Sequence, residues 1–215
     1  MTRLAIFDCD GTLVDGQADV CDTMEQAFIQ AGLPNPNRNE VRRTVGLSLP
    51  VAIKRLTPGI GDEQAAEVVA CYKQLYFARR SEGLLYQPLY DGIRDLLENL
   101  RTAGWLLAVA TGKSDRGLNA CLEEHGISDM FVSLQTADRH PSKPHPAMLE
   151  AALFEAGVQP GQAVMIGDTS FDILMARDAA VRALGVAWGY HTPEELHEAG
   201  ADAVAEHPAH LEELL

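Results

Sequence analysis

The chain has 215 residues, of which 47% are apolar, and carries 31 acidic against 17 basic side chains for a formal net charge of −14. That length suits one core with a modest insertion better than two full-sized domains, and the strong negative charge argues against nucleic acid or an anionic membrane as a partner. No run reaches the ~18 consecutive apolar residues of a membrane-spanning helix. The N-terminal stretch meets Asp8 before a secretory hydrophobic region could form, so a cytoplasmic location is expected.

In chain order, Leu4 to Phe7 is a short apolar run ending in Asp-Cys-Asp-Gly, which predicts a buried strand entering a turn. From Ala18 to Ala31, Val20, Met24, Ala27, Phe28 and Ala31 recur at helical spacing, with Gly32 as a stop. Further helical signals cover Asn39–Val45, Ser48–Leu56 and Asp62–Arg80, so residues 16–83 read as an all-helical block. After Pro88 a helix carrying Ile93, Leu96, Leu97 and Leu100 ends at Gly104, and Trp105–Ala110 is uniformly apolar, as a strand covered on both faces would be. A helix over Asp115–His125, a strand over Met130–Leu134, a helix from Pro146 to Gly157, a strand over Ala163–Ile166, a helix to Ala180 and a strand through Val186 complete the pattern. Strands alternating with helices predict an α/β fold with a Rossmann-like, doubly wound parallel sheet. Its sheet would come from residues 1–15 and 84–215, with the helical block inserted after the first strand.

Polar residues cluster where strands end: Asp8 and Asp10 after the first, Thr111 after Trp105–Ala110, and Asp168 after Ala163–Ile166. Parallel open sheets bind ligands beyond the carboxyl ends of their strands, so these clusters can converge on one crevice. Alone, Asp168 or Thr111 could be a helix cap and Lys143 a solvated lysine. Asp-x-Asp-Gly-Thr at the end of an apolar strand has no comparable structural explanation. Extended backbone sends Cys9 to the side opposite Asp8 and Asp10, and the scattered Cys9, Cys21, Cys71 and Cys121 read as buried or inert thiols.

The segment Phe7-Asp8-Cys9-Asp10-Gly11-Thr12-Leu13-Val14-Asp15 resembles the first motif of the haloacid dehalogenase superfamily. Thr111-Gly112 resembles its second, Lys143 in Ser142-Lys143-Pro144-His145-Pro146 its third, and Gly167-Asp168-Thr169-Ser170-Phe171-Asp172 its fourth. The overall look is most similar to the phosphoglycolate phosphatase-like members, whose helical cap sits where residues 16–83 lie. The resemblance implies hydrolysis of a small phosphorylated metabolite through an aspartyl-phosphate, with Asp8 as nucleophile and Asp10 as acid/base. It further implies Mg2+ held by Asp8, Asp168, the Asp10 backbone carbonyl and, nearby, Asp172, with Thr111, Gly112 and Lys143 on the phosphoryl oxygens. The chemistry is consistent, because a phosphate dianion resists a carboxylate nucleophile unless a hard cation and buried donors offset the repulsion.

Thr111-Gly112-Lys113-Ser114 is not a P-loop, since Leu107 stands where that motif needs glycine, and Lys113 reads as a surface residue. The histidines show no metal spacing, though His145 and His191 follow motif-bearing segments and could reach the rim. Arg42, Arg43 and Lys54 could greet a distal anion from the cap, or simply form a solvated face. Gly16–Ala18 and Gly83–Leu85 are the expected hinge strands. A phosphomutase of the same superfamily and a non-catalytic binding module are the competing readings, the superfamily's dehalogenases and phosphonate-cleaving members being disfavoured by the acid at Asp10. Substrate identity and oligomeric state are not legible.

Overall fold

A computed structural model describes residues 2–215. Its sheet has six parallel strands in the order β3-β2-β1-β4-β5-β6, comprising β1 (Arg3–Phe7), β2 (Trp105–Thr111), β3 (Ser133–Thr136), β4 (Ala163–Gly167), β5 (Arg182–Val186) and β6 (Ala203–Ala205). The helices are α1 (Gln17–Gln30), α2 (Arg38–Arg42), α3 (Leu49–Leu56), α4 (Asp62–Ser81), α5 (Ile93–Thr102), α6 (Asp115–Glu124), α7 (Ala147–Ala156), α8 (Ser170–Asp178), α9 (Pro193–Ala199) and α10 (Pro208–Leu214).

The central strands are apolar throughout because both faces are covered. Ala5 and Phe7 pack with Leu96 and Leu97 of α5, Leu118 and Leu122 of α6 and Leu211 of α10, whereas Leu4 and Ile6 pack with Met148 and Leu149 of α7, Ile173 of α8 and Leu196 of α9. The result is a three-layer sandwich, the arrangement that lets a parallel sheet bury both faces. The chain builds outward through β2 and β3, then returns to pair β4 with β1, placing the topological switch between them. Phe7 is in register with both Val109 and Ile166, so Asp8, Thr111 and Asp168 leave the sheet at one edge.

Helices α1 to α4 intervene between β1 and the rest of the sheet and have their own core, including Met24, Phe28, Ile53 and Val68. The two chain segments joining this block to the sheet run side by side, with the amide of Asp15 donating to Pro88 O at 2.9 Å. Buried Asp19 ties them further by accepting from Arg79 at 2.8 Å and from the amide of Tyr86 at 2.7 Å.

Two local expectations shift. The Asn39–Val45 helix stops at Arg42, and residues 43–48 form a turn that passes through Gly46 at φ +94°. The strand expected over Met130–Leu134 lies at Ser133–Thr136, because Ser128–Met130 forms a 3-10 turn. Beyond Val186, α9, β6 and α10 extend the sandwich; the three-residue β6 is too short for a periodic signal.

Candidate active site

Asp8, Lys143, Asp168 and Asp172 converge in a cluster sealed from solvent, each at 0–1% exposure. The Lys143 ammonium lies 2.9 Å from Asp8 Oδ1 and 2.6 Å from Asp172 Oδ1, and Cys9 N donates to Asp8 Oδ1 at 2.6 Å. Asp168 accepts at both oxygens, from Thr12 Oγ1 and from the amide of Tyr190, each at 2.9 Å. Asp172 forms a capping box with Thr169 at the start of α8, accepting the Thr169 amide at 3.1 Å and its hydroxyl at 2.7 Å. Thus Thr169, and not Asp168, caps the helix, and both oxygens of Asp172 are engaged.

Three buried carboxylates facing one ammonium leave an excess of negative charge. Burial, partly offset by Lys143 and reinforced by Asp172, pushes the Asp8 carboxyl up to about 7. Burial and then the Asp8 and Asp172 charges push Asp168 well above the carboxylate range. Burial alone would discharge Lys143, but Asp172 and Asp8 outweigh it and hold the ammonium protonated.

The donor set fits a hard divalent cation. Among the described residues, Asp8 Oδ2 is buried without a hydrogen-bond partner, and Asp8, Asp168 and Asp172 each present an oxygen within 4.8 Å of the others. All-oxygen, multiply anionic ligation suits magnesium. The Asp10 carboxylate lies outside this triad.

Asp10 instead faces Lys113, whose ammonium stands 2.8 Å from Asp10 Oδ1, out of line for a hydrogen bond but well placed for ionic contact. The Lys113 side chain is only 8% exposed, which corrects its reading as a surface residue. Burial opposes its charge, yet Asp10 beside it raises its proton affinity well above the ordinary lysine value. Its position directly after Thr111-Gly112 was the available signal; one lysine in a loop does not by itself reveal which carboxylate it meets.

The loop carrying Asp8 and Asp10 turns at Gly11, with φ +83°, where a side chain would strike the Asp168 carboxylate and the Tyr190 ring. Thr111 is buried at the end of β2, and its hydroxyl accepts the Lys113 amide at 3.2 Å. Gly112 precedes α6, which begins at Asp115 and is capped by Ser114, whose hydroxyl accepts the Gly117 amide at 3.1 Å.

The helical block is closed over this edge. The amide of Ser48 donates to Ser142 Oγ at 2.8 Å, and the carbonyls of Gly46 and Leu47 occupy the space a Gly112 side chain would need. Arg43 pairs with Glu195, Lys54 with Asp62 and Arg42 with Asn39, and among the described residues none of these three cations lines the cavity beside Asp10. His145 accepts the Ala147 amide and His191 the Ser170 amide, both supporting helix starts. Cys9 is fully buried, 4.0 Å from the Cys121 sulfur and away from the carboxylates.

The model of the family described as haloacid dehalogenase-like hydrolase matches residues 5–186. A Dickeya dadantii protein named probable phosphatase IndB is 34% identical, over 96% of this chain and 90% of its own. A Vibrio vulnificus phosphoglycolate phosphatase is 31% identical, over 97% of this chain and 94% of its own. Among solved structures, a haloacid dehalogenase-like family hydrolase from Streptococcus pneumoniae superposes with a TM-score of 0.84 at 27% identity, covering 97% of this chain and 96% of that one.

Proposed function

The chain belongs to the haloacid dehalogenase-like hydrolases and is a phosphatase, and from that premise we propose that it hydrolyses a small phosphomonoester with magnesium through a phosphorylated Asp8. The observation that carries the reading is the sealed Asp8–Lys143–Asp172 cluster with its partnerless Asp8 oxygen. Residues 1–15 and 84–215 form the catalytic core in this scheme, and residues 16–83 the cap.

Asp8 attacks phosphorus while Asp10 protonates the departing alkoxide, giving the free alcohol and an aspartyl-phosphate. Asp10 then takes a proton from water as it attacks that phosphorus, and Asp8 is released with inorganic phosphate. Lys143 balances charge on the transferring group, assisted by the Thr111 hydroxyl and the Gly112 amide. Asp8 and Asp168, with the Asp10 carbonyl and Asp172, would hold magnesium, which would supply the positive charge that lets two anions meet. The closed cap excludes water from the first step. Phosphoglycolate is the first substrate to test, because relatives such as that from Vibrio vulnificus carry its name.

The test is phosphate release from 2-phosphoglycolate, sugar phosphates and simple alkyl phosphates, with magnesium or chelator, for wild type and Asp8→Asn. Magnesium-dependent turnover abolished by the substitution supports the scheme. Folded, magnesium-replete protein that transfers phosphate to a second hydroxyl without releasing it would favour a mutase instead.

A further inference from the structure

Closure of the helical block leaves a cavity of about 440 Å³ between it and the sheet, bordered on its inner side by Asp10 and Gly112. That is within the ~300–1,000 Å³ range of pockets for small organic ligands, and far more room than the two-carbon alcohol of phosphoglycolate fills. Its position beside the proposed acid places the leaving group there.

The chemistry of the wall is specific. Val20, Met24, Leu47, Tyr72, Tyr76 and Ala120 line it, and the rings of Tyr72 and Tyr76 stack at 5.7 Å with an interplanar angle of 16°. Four cations also border the space, and among the described residues three of them stand beside a carboxylate. Lys113 faces Asp10 at 2.8 Å, and Lys73 lies 3.9 Å from Asp138. Arg80 reaches Glu124 at 3.3 Å and Gln87 at 3.2 Å, while Arg116 covers the Phe77 ring at 3.5 Å. A leaving group bearing a carboxylate would have to draw Lys113, Lys73 or Arg80 from its partner or reach exposed Arg116 over the Phe77 ring, whereas a flat apolar group needs only the aromatic and aliphatic wall.

We infer that the cavity selects phosphomonoesters whose leaving group is an uncharged, ring-bearing alcohol, rather than a short carboxylated one. This rests on the phosphatase reading and gives that site its substrate class. The P–O bond to the ring-bearing alcohol breaks, the alcohol leaves with one proton, and water supplies the new oxygen on phosphate.

The experiment compares kcat/KM for 2-phenylethyl phosphate, ethyl phosphate and 2-phosphoglycolate, whose leaving groups are all primary or activated alkyl oxygens. The ring-bearing ester is expected to exceed both others by about tenfold or more, the discrimination a filled apolar pocket provides. Filling the cavity with Ala120→Phe, or removing its aromatic face with Tyr72→Ala, should bring the phenylethyl-to-ethyl ratio toward one. Phosphoglycolate or ethyl phosphate turned over as well as the ring-bearing ester by wild type overturns the substrate assignment and leaves the phosphatase reading intact. Release from none of the three, with sugar phosphates hydrolysed, likewise overturns the substrate assignment alone; release from none of the three and no sugar phosphate hydrolysed overturns the proposed scheme as well.

Discussion

The Lys113 ammonium stands 2.8 Å from Asp10 Oδ1, with both side chains nearly withdrawn from solvent and the Tyr76 ring 5.8 Å from the same nitrogen. The proposed acid/base is therefore held from a neighbouring strand end by a cation outside the four motifs. Lys113→Met would leave the Asp10 charge buried and uncompensated, which should cost roughly 1–3 kcal/mol of stability. Asp10→Asn in the same background should recover part of that loss. Thermal unfolding of the two single variants and the double variant checks the coupling; strictly additive losses would show that the pair does not interact.

The charge on Asp8 is disfavoured in the metal-free protein. Its carboxyl titrates near 7 when folded, against 3.8 for the unconstrained group. Between those values the folded state holds a proton that the unfolded state has released, so the Asp8-dependent stability falls as pH rises through that window. Asp8→Asn should remove this component and leave the metal-free variant more stable than wild type at pH 8 by a few kcal/mol, although inactive. Denaturant unfolding at pH 4 and pH 8 reads the difference; equal pH slopes for both proteins would refute it.

In the proposed scheme magnesium would compete with that proton. Ligation requires the Asp8 carboxylate, so the magnesium-induced rise in Tm should grow from pH 6 to pH 8. Asp168→Asn should shrink it at both pH values. A shift of the same size in wild type and in Asp168→Asn would place the ion elsewhere.

At Gly112 the backbone of the helical block meets that of the sheet, through the carbonyls of Gly46 and Leu47. Gly112→Ala should hold the cap off the site and lower kcat/KM on the order of 10- to 100-fold, the scale expected when positioning is disturbed, with little change in Tm. Steady-state kinetics with a melting curve decides this; unaltered kcat/KM would mean that closure is not needed for turnover.

Much of the core was legible because parallel strands buried on both faces have a strong signature. The uniformly apolar Leu4–Phe7, Trp105–Ala110 and Ala163–Ile166 could hardly be anything else, and the polar residues after them mark the carboxyl edge of a sheet. The short edge strand β6 and the turn after α2 were not legible, since neither carries enough residues for a period to emerge. Charge alone left Arg43 and Lys54 open as either a solvated face or contacts for a distal anion, and in the fold they pair with Glu195 and Asp62.

The sequence by itself determined the alternation of strands and helices, the helical insertion, and the residue types that attend one sheet edge, because hydrophobic periodicity and turn chemistry are local properties. Only the tertiary structure decided which charges meet. Lys143 bridging Asp8 and Asp172, Lys113 facing Asp10, and the cavity left beneath the helical block all join residues distant in the chain. Charge pairing and residual volume depend on distances in space, and those are set by how the layers pack.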